Sequence, residues 1–323
     1  MTRSQSPQQL KSLLGRVERA VEQRTRRLLA GPARGVLYGF ADRPWGPMAF
    51  PPGHFHSPLP SYEDITRHHS STYDRDADLP GIDLGIDAQL KLLRDIYPDI
   101  DAHPFHERDG ARPRFDFDNT WFTSYDALVY SALLRAFEPK RIVEVGSGWS
   151  TAIILDTYEG AQPPDITLIE PHPDRLFTLL RDSDHARLTI LEQRLQDCPL
   201  TLFEELGDGD VLFVDSTHVA KLDSDVNQLF FEILPRLNVG VLVHLHDVAY
   251  PFDYEPDMID QGFGWNEAYL LRAFLQFNDR FEIVLWNDLL RTRFRSLLEE
   301  ECPVLIEHEC PGTEGSIWIR RVR

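Results

Sequence analysis

Three cysteines in 323 residues are too few to staple this chain. Cys198, Cys302 and Cys310 are odd in number and lack metal-ligand spacing, which argues against a disulfide framework and suits a reducing cytoplasm. Long apolar runs are missing as well. No stretch would span a bilayer, and the first residues have no apolar core of a secretory signal, so membrane insertion is not expected. Internal repeats and low-complexity tracts are also lacking. Positive charge is scarce: 33 Lys and Arg stand against 52 Asp and Glu, for a net charge of -19. What there is clusters at the start, where residues 1–34 hold eight Lys/Arg and two Glu, +6 in all, leaving -25 on the remainder. So acidic a body repels a phosphate backbone, which excludes nucleic acid as the expected substrate. The basic start reads as a solvated helix face or frayed terminus, with contact to an acidic partner as the alternative.

The apolar content, 42%, is ordinary for a soluble globular protein, and the length allows one large domain with a substantial extension. Leu10, Leu13, Leu14, Val17, Val21 and Leu28 have helical spacing. Residues 30–64 are rich in Pro and Gly and read as irregular chain that must lie on something else to be ordered. A short helix is expected over 83–97, ended by Tyr97-Pro98, and a loop over 110–122. From Ser124, a plausible cap, helices alternate with apolar strands at 142–145, 166–170, 188–191, 211–215, 241–246, 281–286 and 316–321. The helices between them are clearest at 151–158, 173–181, 199–206, 225–235 and 266–277, with a short piece near 293–300. Strands separated by helices predict an α/β fold: a Rossmann-like, doubly wound, mostly parallel seven-stranded sheet with an antiparallel last strand. Two regions are expected: 1–122, a helical and proline-rich, substrate-covering extension, and 123–323, the sheet domain.

The most informative run is Arg141-Ile-Val-Glu-Val-Gly-Ser-Gly-Trp-Ser-Thr151. An apolar strand ends in Gly146-Ser147-Gly148 and a helix follows. Glycine is needed where the chain turns sharply and a ligand approaches the backbone, and the helix start offers free N–H groups. A second strand ends in Glu170, placed to accept from ribose hydroxyls. Together these point to an adenosine-containing ligand. Ligands of an open parallel sheet bind beyond the strand carboxyl ends. That rule selects Glu144 to Ser150, Glu170, Gln196-Asp197, Asp215-Ser-Thr-His218 and His244-Leu-His-Asp247.

Those residues, with Ser224-Asp225, Pro251-Phe-Asp-Tyr254 and Trp265-Asn-Glu267, resemble the class I S-adenosylmethionine-dependent methyltransferases, and within them the bacterial small-molecule branch. The resemblance covers about residues 120–290, and Gly53-His-Phe-His-Ser-Pro58 resembles the N-terminal segment of that branch. It implies S-adenosylmethionine as cofactor. Glu144 and the Gly146-Ser147-Gly148 backbone would hold its methionine part, and Glu170 its ribose. Gln196 or Asp197 would meet the adenine, and Asp215 would border the cofactor. Ser150 stands where many relatives carry a third glycine.

The strand-end acids Asp215 and Asp247 also resemble the pair that holds a divalent cation in catechol-type O-methyltransferases. Val248 replaces the Asn ligand those enzymes place next. Imidazoles nearby suit Zn, Mn or Fe(II) better than Mg. The candidate metal ligands are Asp215, His246 and Asp247, leaving His218 as the base that frees the acceptor lone pair. Asp215, His218, His246 and Asp247 form the expected catalytic cluster, and a buried structural histidine is the commoner reading for His244. His54 or His56 would reach substrate only if their segment folds over the site. Residues 250–265 are a candidate substrate-covering loop, and Asn266-Glu267 contact substrate or cap a helix. The expected protein is a cytoplasmic methyltransferase acting on a small polar molecule, an acceptor hydroxyl before an amine, with a homo-oligomer left open. Two alternatives remain: an Fe(II) oxygenase or lyase on the same scaffold, and a non-catalytic binding module of a biosynthetic complex.

Overall fold

The structure, a computed structural model, describes residues 50, 52–70, 78–107, 112–254, 258, 261–307 and 315–323. The expected helix over 10–29 and the first part of the proline-rich segment lie outside them. The chain divides into two units, one ending at Tyr73 and taking in Pro256–Gly264, the other comprising Asp74–Glu255 and Trp265–Arg323. In the first, helix α1 (Tyr62–Ser70) follows a turn closed by Gly53 N–H donating to the Leu59 carbonyl, 3.0 Å. His54, Phe55 and His56 form a ring cluster beside Phe50 there, and Phe55 is 84% exposed.

The second unit carries the sheet. Its strands are β1 (Arg141–Val145), β2 (Asp165–Ile169), β3 (Leu188–Leu191), β4 (Val211–Val214), β5 (Leu242–His246), β6 (Phe281–Trp286) and β7 (Ser316–Arg321). Their order is β3-β2-β1-β4-β5-β7-β6, with β1 to β5 parallel and β7 antiparallel to both neighbours. The crossovers demand it: helices join the parallel strands, whereas β7 is inserted between β5 and β6. This is the Rossmann-like, doubly wound arrangement the alternation predicted. β1, β4 and β5 are almost wholly buried, as expected of strands covered on both faces.

Helix α2 (Ile86–Asp101) runs past Pro98, where the sequence suggested a stop. Pro98 removes a single hydrogen bond in the last turn, and Leu93, Ile96 and Ile100 are buried on either side of it, so packing outweighs the loss. Helix α3 (Ser124–Phe137) spans the expected residues, but its cap lies one residue earlier than expected: the Thr123 hydroxyl accepts from Asp126 N–H, 3.3 Å. Its residues Ser124 to Leu134 are all buried, so its polar groups must find partners inside. Asp126 Oδ1 accepts from Asn287 Nδ2 and Ser316 Oγ, at 2.5 and 2.8 Å. The crossovers are α4 (Trp149–Thr157), α5 (Asp174–Leu179), α6 (Thr201–Glu204), α7 (Asp225–Gln228) and α8 (Glu267–Leu275). α7 continues as a π turn and a 3₁₀ turn to Arg236, because Pro235 cannot supply the N–H of a regular turn. Where one short helical piece was expected before β7, three occur among the described residues: α9 (Asn287–Arg293), α10 (Arg295–Glu301) and α11 (Pro303–Glu307).

Residues 112–123 cross the structure without regular elements and are pinned at the base by Arg114. Its buried guanidinium donates to Asp156 Oδ1 (2.8 Å) and to both oxygens of Asp184 (2.6 and 2.8 Å), and the Arg114 and Phe115 N–H groups also reach Asp156. Removing one partner of such a network strands buried charge. Arg114→Ala is therefore expected to cost about 3–5 kcal/mol in urea unfolding. An unchanged midpoint would refute this anchoring role.

Candidate active site

The register brings the polar residues level. Val145 pairs with Ile169 and Val214, and Val214 pairs with Leu245, so Gly146, Glu170, Asp215 and His246 sit one step further at the same edge. Gly146 is obligatory. Its φ is +78°, and a Cβ there would lie 1.8 Å from the Asp215 carbonyl oxygen. At Gly148, φ +154°, an added Cβ would touch only Arg175 Cδ, at 3.5 Å.

Glu144 is buried beneath this turn. Its Oε1 accepts from Ser150 Oγ (2.8 Å) and Thr151 Oγ1 (2.7 Å), while Oε2 has no partner among the described residues. Burial raises its pKa to about 8 against the pull of the two hydroxyls. Ser150, expected to face the cofactor, thus holds Glu144. Glu170 accepts from the Ser147 and His172 N–H groups, at 3.1 and 2.8 Å, which fixes its carboxylate at the end of β2. Gln196 Nε2 donates to the Asp223 carbonyl (2.7 Å), and Asp197 is held by Arg194 through two bonds of 2.9 and 3.0 Å.

His218, Asp215 and Asp247 form the second half of the site. His218 is buried, with Nδ1 2.8 Å from Glu267 Oε2 and its ring 4.3 Å from that of Trp265. Its Nε2 lies 3.3 Å from Asp215 Oδ1 and 3.5 Å from Asp247 Oδ2. His218 (φ +58°) and Asp247 (φ +55°) both adopt left-handed backbone, a strain commonly stored at functional sites. Burial alone would lower the His218 pKa, but hydrogen bonds to Asp215 and Glu267 and the charges of Glu267 and Asp247 raise it well above 6.5. Burial would raise Asp215, yet the His218 hydrogen bond and the charges of His246, His218 and Arg175 hold it below the usual carboxylate range. Asp247 goes the other way, pushed up by burial. His246 lies flat against Phe122, ring centroids 4.4 Å apart and 4° from coplanar, with Nε2 3.9 Å from Asp247 Oδ1. His244 sits in the core on Phe213, 4.2 Å away, and burial drives its pKa well down, which makes it a neutral structural residue.

Three ligand-type atoms, one each from Asp215, His218 and Asp247, lie within 4.8 Å of one another, so the trio that could hold a cation contains His218 where His246 was expected. Base and ligand roles therefore compete for one nitrogen, His218 Nε2. Sequence reasoning did not assign Glu267 to His218: the residues are 49 positions apart, and the only hint was their common place in the strand-end motifs. Asn266 fastens the same helix start to the His218 loop, its Oδ1 accepting from Ala220 N–H at 2.6 Å.

A glycine turn at the switch point of a doubly wound sheet, an acid at the end of β2 and a catalytic-type cluster at the ends of β4 and β5 define the class I S-adenosylmethionine-dependent methyltransferase fold. Within that class, the profile of the methyltransferase-domain family matches residues 143–248, from β1 to just beyond β5. The chain is also 35% identical over 182 residues to an uncharacterized protein of Archaeoglobus fulgidus, covering 52% of this chain and 78% of that protein. The chain belongs to the methyltransferase-domain family. Among solved structures, it resembles the SAH-bound Podospora anserina methyltransferase at 18% identity and TM-score 0.41, over 82% of this chain and 98% of that one. It resembles the O-methyltransferase TomG from Streptomyces achromogenes at 13% identity and TM-score 0.41, over 73% and 96%.

Glu144 generates a pH prediction. The folded protein holds its proton more tightly than the unfolded chain does, so this group's stabilising contribution is complete below the ordinary carboxylate value and is lost as pH rises to about 8. Glu144→Gln keeps the acceptor and removes the ionisation. Its melting temperature should fall less than the wild type's between pH 5 and pH 9; parallel curves would count against a buried, protonated Glu144.

Proposed function

We propose that this chain transfers the methyl group of S-adenosylmethionine to a hydroxyl of a small polar acceptor. The carrying observation is the His218 cluster, an imidazole braced by Glu267 and facing two acids, set beside the glycine turn. The donor set suits the cofactor on physical grounds. Glu144 Oε2, Ser147 Oγ and Ser216 Oγ are buried around the turn without hydrogen-bond partners among the described residues, a costly arrangement unless a polar ligand satisfies them. Glu144, Gly146, Ser147 and Gly148 would hold its amino-acid end, Glu170 the ribose, Gln196 or Asp197 the adenine, and Asp215 would border it. The cofactor supplies an electrophilic methyl on a sulfonium. The chain's own work is to position the acceptor in line and take the hydroxyl proton at His218 Nε2, with Glu267 fixing the tautomer.

A divalent cation at Asp215, His218 and Asp247 is the second version, favoured by their spacing. Two carboxylates and an imidazole suit Mn, Fe or Zn, and Glu267 on the other ring nitrogen is the kind of support such a ligand has. An ion held there would supply Lewis-acid chemistry that lowers the acceptor pKa. The reading keeps a substrate cover on the N-terminal side of the sheet domain, supported within the second unit by Phe122 lying on His246. It also keeps a cytoplasmic setting, supported by the free thiols of Cys198 and Cys302. No helix among the described residues is long and apolar enough to cross a membrane.

Two measurements test this. Glu170→Ala should weaken cofactor binding by about 1.5–3 kcal/mol in calorimetry, through loss of charged hydrogen bonds; unchanged binding by the folded variant would remove Glu170 from the site. His218→Ala should slow methyl transfer roughly 10²–10⁴-fold with little change in cofactor affinity. Near-normal turnover would rule out both versions. A chelator that stops activity, with recovery on adding Mn, selects the cation version. Activity indifferent to the chelator, and rising with pH above the ordinary histidine range, selects the base.

A further inference from the structure

The edge that would hold the cofactor is crowded with acid. Glu170, Asp215 and Glu267 lie at or beneath it, beside Glu144 and Asp247, which burial pushes toward their neutral forms. Such a surface welcomes ribose hydroxyls and an ammonium group, but it repels a carboxylate, and an amino-acid cofactor carries both charges. Some cation must offset that repulsion.

Arg175 meets the requirement. It is an exposed residue of α5, the helix that follows Glu170. Its stem crosses the glycine turn, since a Cβ on Gly148 would lie 3.5 Å from Arg175 Cδ. Its charge is felt at Asp215. The guanidinium lies over the Trp121 ring, 4.1 Å from the centroid, and no carboxylate among the described residues pairs with it. Other arginines of this region are engaged: Arg114 with Asp156 and Asp184, Arg194 with Asp197 and Asp223. An unpaired arginine in so acidic a protein, oriented by an aromatic face, keeps its fork of N–H donors for a ligand.

Trp121 is itself held in place. Asn119 Oδ1 accepts from both the Trp121 and Phe122 N–H groups, at 2.9 and 2.7 Å, and the Asn119 amide donates to the Asp116 carbonyl at 2.8 Å. Phe122 lies on His246 and Trp121 on Arg175, so two consecutive aromatic residues span the edge from the catalytic cluster to the glycine turn. Trp121 is nevertheless 64% exposed, a poor use of so large a ring unless something covers it.

We propose that Arg175, oriented by Trp121, is the carboxylate-recognition group for the amino-acid end of the cofactor. The inference rests on the S-adenosylmethionine reading above. The two ligands that separate the ideas are S-adenosylhomocysteine and 5′-methylthioadenosine, which share the adenosine and differ in the amino-acid end. Calorimetry on wild type and Arg175→Gln should show S-adenosylhomocysteine affinity falling about 10- to 100-fold, the size of a lost charge-assisted hydrogen bond, with 5′-methylthioadenosine affinity unchanged. Arg175→Lys should recover part of the loss, because it restores charge without the fork. Trp121→Ala should show a smaller loss of the same selectivity. Unchanged 5′-methylthioadenosine binding also certifies that the variants are folded. Equal losses for both ligands, or no loss for S-adenosylhomocysteine, overturn the assignment. So does an intact S-adenosylhomocysteine affinity with a raised KM for the acceptor. A wild-type protein that binds neither ligand overturns the methyltransferase reading, and this inference with it.

Discussion

The contact between Gly146 and the Asp215 carbonyl is the constraint on which the rest of the site depends. A side-chain carbon at position 146 would sit 1.8 Å from that oxygen, so the ends of β1 and β4 approach as closely as they do only because residue 146 has none. The approach joins the two halves of the site. On one side the turn runs on into α4. On the other, Asp215 leaves β4 and leads within three residues to His218. The Asp215 N–H bond to the Val145 carbonyl, 2.8 Å, and the Gly146 N–H bond to the Ile169 carbonyl, 3.1 Å, extend the ladder one step beyond the strands and keep the edge rigid.

Around that contact the electrostatics are arranged in opposition. Glu144 and Asp247 are pushed toward their protonated forms by burial, while Asp215 is held ionised by imidazoles and Arg175. Acids whose environments drive their protonation apart can share an edge without mutual repulsion. Glu267 completes the set from the far side of His218. It enters on α8, whose start is tied to the His218 loop by Asn266 and by the Asn266 and Glu267 N–H groups donating to the His218 carbonyl. The left-handed backbone of His218 is thus over-determined by bonds on both sides.

The segment 112–123 supplies the outer wall. It has no regular structure of its own, and its order comes from Arg114 at one end and the Thr123 cap of α3 at the other. Between them, Asn119 presents Trp121 and Phe122 to different parts of the edge. Phe122 rests on His246 and Trp121 on Arg175, while Trp121 itself stays 64% exposed.

Much of this architecture was legible in the residues. Apolar strands, intervening helices and the switch to an antiparallel last strand are properties of local pattern, because the period of the apolar residues reports which faces are buried. The glycines and Glu170 were legible for the same reason: backbone conformation and a strand end constrain single positions. Other features depended on contacts between residues far apart in the chain. Glu267 is 49 residues from His218, and Asp156 and Asp184 are 42 and 70 from Arg114. Which histidine faces Asp215 was likewise undecidable from spacing. His218 lies just beyond the end of β4 and His246 ends β5, and only the left-handed turn at His218 carries its ring between the two acids while Phe122 covers His246. Sequence alone determined the sheet, the turn and the edge at which the polar residues gather, since those follow from local periodicity and sterics. The partners within that edge were decided by tertiary packing, because a buried charge takes whichever oppositely charged or hydrogen-bonding group the fold brings within about 3 Å, however distant in sequence.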